Sequence, residues 1–175
     1  YIKTKSGDTY FEDEKGQPWR CLHYVPNSVC YQQVERPEQF YQSALSFGHF
    51  LKQLGDYPAD SLYETIPQFH DTAKRFRDFE DAQRKDVKNR ARLCHPEIEF
   101  VLSRKADCNV LMEQLEKGVL PLRVTHNDTK LNNILFDKDT DQGLCIIDLD
   151  TIMPGLACND FGDSIRFGAS TAEED

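Results

Sequence analysis

The sequence has no long apolar run and no excess of basic residues, and these absences limit what the protein can be. None of its apolar stretches approaches the roughly 20 residues that a membrane-spanning helix needs. No charged-then-apolar leader indicates secretion. Acidic residues outnumber basic ones by 30 to 21, a formal charge of -9, whereas nucleic-acid binding depends on clustered Lys and Arg. We therefore expect a soluble, cytoplasmic protein with neither nucleic acid nor a membrane as partner.

The cysteines also lack the spacing of a zinc site or a disulfide framework. No C-x-x-C pair occurs, and several of the six lie in apolar runs. Reduced thiols in the core are therefore predicted. The cysteines are Cys21, Cys30, Cys94, Cys108, Cys145 and Cys158.

The periodicity of the remaining chain predicts helices preceded by one short hairpin. Two β-prone runs, residues 9–12 and 19–24, flank a charged turn. Apolar residues recur at helical spacing over residues 37–54, which predicts an amphipathic helix. Residues 71–92 are so highly charged that a solvated helix is predicted. A second apolar stripe over residues 96–117 predicts one further buried helix.

The stretch "VTHNDTKLNNILF", residues 124–136, concentrates polar side chains between apolar ends. The turn "DKDTDQG" and the run "LCIIDLD" follow it, which predicts a second hairpin. If the strands pair about the middle of this turn, Asn133 lies opposite Asp148. Asp128, five residues before Asn133, would join the same cleft. Carboxylate and amide oxygens around one point predict a magnesium site.

The pattern His126, Asp128, Asn133 and, after an apolar strand, Asp148 resembles the aminoglycoside phosphotransferase and choline kinase family. This family is the small-molecule branch of the protein-kinase-like fold. Within it, "THNDTKLNN", "IDLDTIMPG", "DFGDSIR" and "FHDT" are most similar to the N-acetylhexosamine 1-kinase group. The resemblance implies an α+β fold, mostly the helical large lobe with the last hairpin of the small lobe. Residues 1–26 would end the small lobe and form the hinge, and residues 27–175 would form a partial large lobe.

The resemblance also implies roles for the polar residues. Asp128 would be the catalytic base, and His126 would orient its loop. Asn133 and Asp148 would hold Mg²⁺ across the phosphates of ATP. Asp150, two residues further along the same strand face, would contact a second metal or support the first.

Further contacts are implied for the nucleotide and for the loop. The backbone of His23, Tyr24 and Val25 would be the hinge that contacts adenine. Lys130 would offset phosphate charge, unless its side chain points to solvent. The letters Asp160-Phe161-Gly162 imitate a kinase metal motif, but they lie 32 residues after Asp128. Asp160 is therefore interpreted as a support for the loop.

An ATP-dependent sugar 1-kinase with an N-acetylhexosamine as its small-molecule substrate is the leading hypothesis. A choline, homoserine or aminoglycoside kinase and an inactive nucleotide-binding protein are the alternatives. Sulfatase chemistry is discounted because "CHPEI" lacks the required arginine. Lys3 and Lys5 lie too close to the hinge to serve as the phosphate-positioning lysine. We therefore expect a kinase fragment that is inactive by itself, and its oligomeric state stays open.

Overall fold

A computed structural model describes residues 1–170. Helices and short strands are mixed along the chain, which confirms the predicted α+β class. The helices are α1 (Pro37–Gln53), α2 (Thr72–Lys85), α3 (His95–Ser103), α4 (Val110–Glu116) and α5 (Ala157–Gly168). The strands are β1 (Phe11–Glu12), β2 (Pro18–Trp19), β3 (Ser28–Val29), β4 (Arg123–Thr125), β5 (Ile134–Asp137), β6 (Gly143–Ile146) and β7 (Met153–Gly155). The last five residues of the predicted large lobe, 171–175, lie outside the described part.

Helix α1 confirms the first predicted helix and begins at its proline. Pro37 occupies the first helical position, where its missing N–H costs no hydrogen bond. The side chain of Gln39 is fully buried, and its Oε1 accepts hydrogen bonds from the backbone N–H groups of Glu35 and Arg36. A polar residue thus lies on the buried face because it satisfies the free donors at the helix start.

Helix α2 agrees with the predicted charged helix, whereas the predicted single helix over residues 96–117 is wrong. Asp71 caps α2 by accepting a hydrogen bond from the Lys74 N–H at 2.8 Å, and Phe76 is its buried anchor. The second segment is divided into α3 and α4, neither of which has a buried residue. Polar residues that compete for backbone hydrogen bonds occupy the break, and the Thr72 hydroxyl donates to the Cys108 carbonyl there.

Both predicted hairpins form, but the register of the second differs from the prediction. Strands β5 and β6 pair with Ile134 opposite Ile146, and the Ile147 N–H donates to the Asn133 carbonyl at 2.9 Å. Asn133 therefore faces Ile147 instead of Asp148. The Asp137 N–H closes the turn on the Gln142 carbonyl, and an irregularity in the strand pairing between Leu135 and Phe136 then shifts the register. The pairing beyond it differs from the predicted one by one residue.

The core lies directly beneath the polar stretch. Phe47 of α1 and Phe136 of β5 form a cluster of buried side chains with Leu131 and Ile134. Strand β3 adds to the sheet in the order β3-β5-β6. Because Leu131 lies within the polar loop, the same packing that forms the core also anchors that loop.

A second, two-stranded sheet brings the start of the polar stretch against the segment that follows β6. Strands β4 and β7 pair antiparallel, with Val124 opposite Pro154. A side chain at Gly155 would collide with the Thr125 hydroxyl, so this pairing requires glycine at that position. The β4–β7 pair was not predicted.

The first 24 residues form the β1–β2 hairpin and are mostly exposed. Between residues 1 and 170, no helix combines the length and apolar character needed to cross a membrane.

The cysteines are all free, as predicted, but their predicted burial is wrong, since four are exposed and two are half-buried.

Candidate active site

The polar loop after β4 is fixed by one buried carboxylate. Asp160, in the first turn of α5, is 2% exposed. Its two oxygens accept hydrogen bonds from the backbone N–H groups of His126 and Asn127, both at 2.8 Å. Burial raises the pKa of Asp160, and these two hydrogen bonds oppose the shift. The contact predicted between Asp160 and the loop is present.

His126 is enclosed by the core and has no route to solvent. Its side chain is 0% exposed, and its Nε2 lies 3.1 Å from the Ile147 carbonyl, to which it donates. The rings of Phe47 and Phe50 contact it edge-on, with centroid distances of 5.4 and 5.8 Å. Such a histidine can hold the loop against β6 but cannot reach an acceptor hydroxyl.

The Asp128 side chain lies at the surface of this loop and is partly exposed. Its Oδ2 accepts a hydrogen bond from the Asn133 Nδ2 at 2.9 Å, and the same amide donates to the Asp128 carbonyl. The Lys130 Nζ lies 3.3 Å from Oδ2. The side chain of Lys130 is only 18% exposed, so it points to Asp128 and not to bulk solvent.

Asp148 and Asp150 follow β6, and the structure corrects their predicted setting. Strand β6 ends at Ile146, and residues Leu149–Thr151 form a short 3₁₀ turn. The two aspartates therefore do not share a strand face. Asp148 has a left-handed backbone with φ of 57°, and Asp150 forms an ion pair with Arg20 of the first hairpin. The hydrogen bond that Arg20 donates to the Asp150 carboxylate raises the pKa of Arg20. Asp148 adds a smaller electrostatic contribution in the same direction.

The sequence of the whole chain can be compared with those of known protein families. A sequence model described as the phosphotransferase enzyme family matches residues 8–175. The chain belongs to this family. The predicted membership of the aminoglycoside phosphotransferase and choline kinase family is thereby confirmed, and the protein is a phosphotransferase with a small-molecule substrate. The N-acetylhexosamine group, the lobe boundaries and the roles of the site residues stay predictions.

Phosphotransferases of this family generally use ATP and Mg²⁺, and the donor set here fits that metal. No group of three or more His, Cys, Asp or Glu side chains among residues 1–170 is arranged to hold an ion. Mg²⁺ commonly has only one or two protein ligands, with water and phosphate oxygens completing its shell. Asn133 uses its amide nitrogen for Asp128, so its Oδ1 and the Asp148 carboxylate are the groups that would hold the ion.

The predicted hinge of this phosphotransferase is an irregular segment between β2 and β3. His23 and Tyr24 are exposed and Val25 is half-buried. The Val25 carbonyl accepts a hydrogen bond from the Ser28 hydroxyl at 2.7 Å. The N–H groups of the segment take part in no described backbone hydrogen bond, which suits a segment that would bind adenine through its backbone.

Asp163 is a second support of the loop, and this role was not predicted from the sequence. Its carboxylate accepts hydrogen bonds from the Thr129 N–H at 2.8 Å and from Arg166 at 2.9 Å. Asp160 and Asp163 are three residues apart, so they lie on the same face of α5. That spacing in "NDFGDS" is a signal that could have predicted both contacts.

His70 approaches the loop from the segment before α2. Its ring packs against Phe69 at a centroid distance of 4.6 Å. Burial lowers the pKa of His70, and the nearby Asn127 backbone acts in the opposite direction. The position of His70 beside the Asn127 backbone gives it a structural role.

Proposed function

We propose that this phosphotransferase transfers the γ-phosphoryl group of ATP, with Mg²⁺, to a hydroxyl group of an N-acetylhexosamine. One observation carries the proposal: the Asp128 carboxylate is held between the Asn133 amide and the Lys130 ammonium group. These three residues project from a loop whose backbone is fixed by Asp160. A rigid, partly exposed carboxylate beside a cation suits proton transfer next to a phosphate.

Asp128 acts as the general base in this proposal. Its carboxylate accepts the proton of the acceptor hydroxyl as the hydroxyl oxygen forms its bond to phosphorus and the bond to the leaving ADP oxygen breaks. The hydrogen bond from Asn133 limits the rotation of the carboxylate, so the side chain is oriented before the substrate binds. Such positioning accounts for much of the rate in phosphoryl transfer, since little covalent chemistry is left to the protein.

Lys130, Asn133 and Asp148 serve the phosphate side of the reaction. Asn133 Oδ1 and the Asp148 carboxylate would hold Mg²⁺, which supplies positive charge to the β- and γ-phosphate oxygens. Lys130 is close enough to Asp128 to contact the phosphoryl group during its transfer to the acceptor. The backbone of His23, Tyr24 and Val25 would bind adenine.

The choice of acceptor depends on the motifs that resemble N-acetylhexosamine 1-kinases. Two of them, "THNDTKLNN" and "DFGDSIR", form the loop and the start of α5 that supports it. In this chain those segments lie together at Asp128. An acceptor that contacts the loop would therefore also meet residues of these motifs.

A phosphoryl-transfer screen tests the proposal. The full-length protein is incubated with ATP, Mg²⁺ and one of four acceptors: N-acetylglucosamine, N-acetylgalactosamine, choline and an aminoglycoside. We expect sugar 1-phosphate as the product. Asp128→Asn should lower kcat by about 10²- to 10⁴-fold, the usual contribution of a general base. The matched control is Asp139→Asn, which changes an exposed aspartate in the β5–β6 turn.

Four results would contradict all or part of this proposal. Full activity of Asp128→Asn would refute the assigned base, and turnover without a divalent cation would refute the metal site. Phosphorylation of choline or the aminoglycoside alone would keep the reaction but replace the acceptor. Magnesium-dependent ATP binding without turnover of any acceptor would identify a nucleotide-binding protein without kinase activity.

A further inference from the structure

The loop that carries Asp128 and the turn that follows Asp148 are joined by a reciprocal pair of hydrogen bonds. The Thr151 hydroxyl donates to the His126 carbonyl at 2.7 Å. In return, the Asn127 Nδ2 donates to the Thr151 carbonyl at 2.9 Å. These residues are about 25 positions apart in the chain, so each bond connects two separate segments.

Asn127 is buried and has an unusual backbone conformation. It is 4% exposed, and its φ of 66° lies in the left-handed region, where asparagine is one of the few tolerated side chains. The Thr125 hydroxyl donates to the Asn127 Oδ1 at 2.9 Å. The side chain is therefore held at both its oxygen and its nitrogen, and this holds the backbone in a sparsely populated conformation.

The 3₁₀ turn that contains Thr151 directly follows a second residue with a left-handed backbone. Asp148 also has a positive φ, 57°, and Thr151 ends the 3₁₀ turn that starts directly after it. Asn127 precedes Asp128 by one residue, and Thr151 follows Asp148 by three. Any movement between the two segments would therefore change the separation of Asp128 and Asp148.

We propose that Asn127 and Thr151 form a clasp that sets the separation between Asp128 and Asp148 and so acts as a positioning pair for phosphoryl transfer. This inference rests on the proposed function. The clasp touches neither substrate nor metal; it acts through the two segments that carry the reacting groups. A misplacement of about 1 Å in such a site can cost about 100-fold in rate. The effect of breaking the clasp should therefore appear in kcat.

The test removes one hydroxyl without changing the size of the side chain. Thr151→Val loses the bond to the His126 carbonyl, whereas Thr151→Ser keeps it. We expect kcat to fall about 10- to 100-fold in the valine variant and to stay within about threefold in the serine variant. The matched control is Thr140→Val, which removes a hydroxyl hydrogen bond to Asp137 in an exposed turn. Its kcat should equal that of the unmodified protein.

Two measurements separate positioning from a loss of folding or of binding. Calorimetric titration with a non-hydrolysable ATP analogue and Mg²⁺ should give an affinity for Thr151→Val within about threefold of the unmodified protein. A double-mutant cycle that combines Thr151→Val with Asn127→Gly tests whether the two residues act as a unit. Glycine is chosen because it tolerates the positive φ at position 127. The double variant should lose little more kcat than either single variant.

Several outcomes would overturn the clasp while leaving the proposed function intact. These are an unchanged kcat in Thr151→Val, equal losses in the valine and serine variants, nucleotide affinity that falls in parallel with kcat, and additive losses in the cycle. All of these variants are made in the full-length protein, and lack of transfer to any acceptor by the unmodified full-length protein is a separate result. It would overturn the proposed function and the role of the clasp together.

Discussion

The substitution Asp160→Asn tests how strongly one buried carboxylate holds the loop that carries Asp128. Asp160 accepts hydrogen bonds from two consecutive N–H groups, those of His126 and Asn127. An asparagine has nearly the same shape but only one accepting oxygen. Its amide nitrogen, which can only donate, would face the second N–H group.

The expected change in the free energy of unfolding follows from these two hydrogen bonds. Leaving a buried N–H without an acceptor costs about 1–3 kcal/mol, and the remaining bond loses the extra strength that a charged acceptor provides, about 1 kcal/mol. Removing a buried charge offsets part of this, since burial disfavours the ionised form of Asp160. We therefore expect the free energy of unfolding to fall by about 1–3 kcal/mol.

Urea denaturation followed by far-UV circular dichroism measures this change. The matched control is Asp78→Asn on α2, whose carboxylate is exposed and pairs with Lys74; it should leave the midpoint unchanged. Phosphoryl transfer should fall in Asp160→Asn even where the protein is fully folded, because the loop backbone loses its support. A midpoint and an activity equal to those of the unmodified protein would refute the role assigned to Asp160.

Three further substitutions test other parts of the structure. Phe136→Ala removes a ring that is 0% exposed in the core and should lower the free energy of unfolding by about 3–5 kcal/mol, measured by urea denaturation. Because burial lowers the pKa of His70, its contribution to stability is present above the ordinary value of 6.5 and is lost as pH falls through the lowered pKa. His70→Gln should therefore lose less stability on acidification below about pH 6.5 than the unmodified protein, whereas His49→Gln, at an exposed position, should follow the unmodified protein. Arg20→Gln breaks the exposed ion pair with Asp150 and should change the unfolding free energy by only about 0–1 kcal/mol; a larger loss would show that the first hairpin depends on this contact.

Local patterns predicted the elements that depend on nearby residues. The apolar spacing and Pro37 predicted α1, and the charge density predicted α2, because helix formation depends on residues within a few positions. The same reasoning failed over residues 96–117, where a contact from Thr72 lies within the break between α3 and α4. It also failed for the cysteines, since an apolar neighbourhood in sequence does not ensure burial.

In the candidate site, too, local patterns gave correct predictions and contacts between distant residues were missed. The resemblance of the pattern His126, Asp128, Asn133 and Asp148 to a known family predicted a phosphotransferase, and the family match confirms that class. The register of the β5–β6 hairpin was wrong by one residue, because it depends on how the turn closes and not on the strand pattern. The contact of Asp150 with Arg20 was not predicted, since 130 positions separate the two residues.

The sequence by itself determined the family of this protein, because the motifs of one loop and one hairpin resemble those of the phosphotransferases that the family match identifies. The tertiary structure decided how those residues are held. Asp160 fixes the loop from α5, and Thr151 and Asn127 join the loop to the turn after Asp148. These contacts connect residues about 25 to 34 positions apart. Their geometry exists only when β4 pairs with β7 and α5 packs against them. The support from Asp160 was predicted, whereas the contacts between Asn127 and Thr151 depend on a strand pairing that the sequence did not predict.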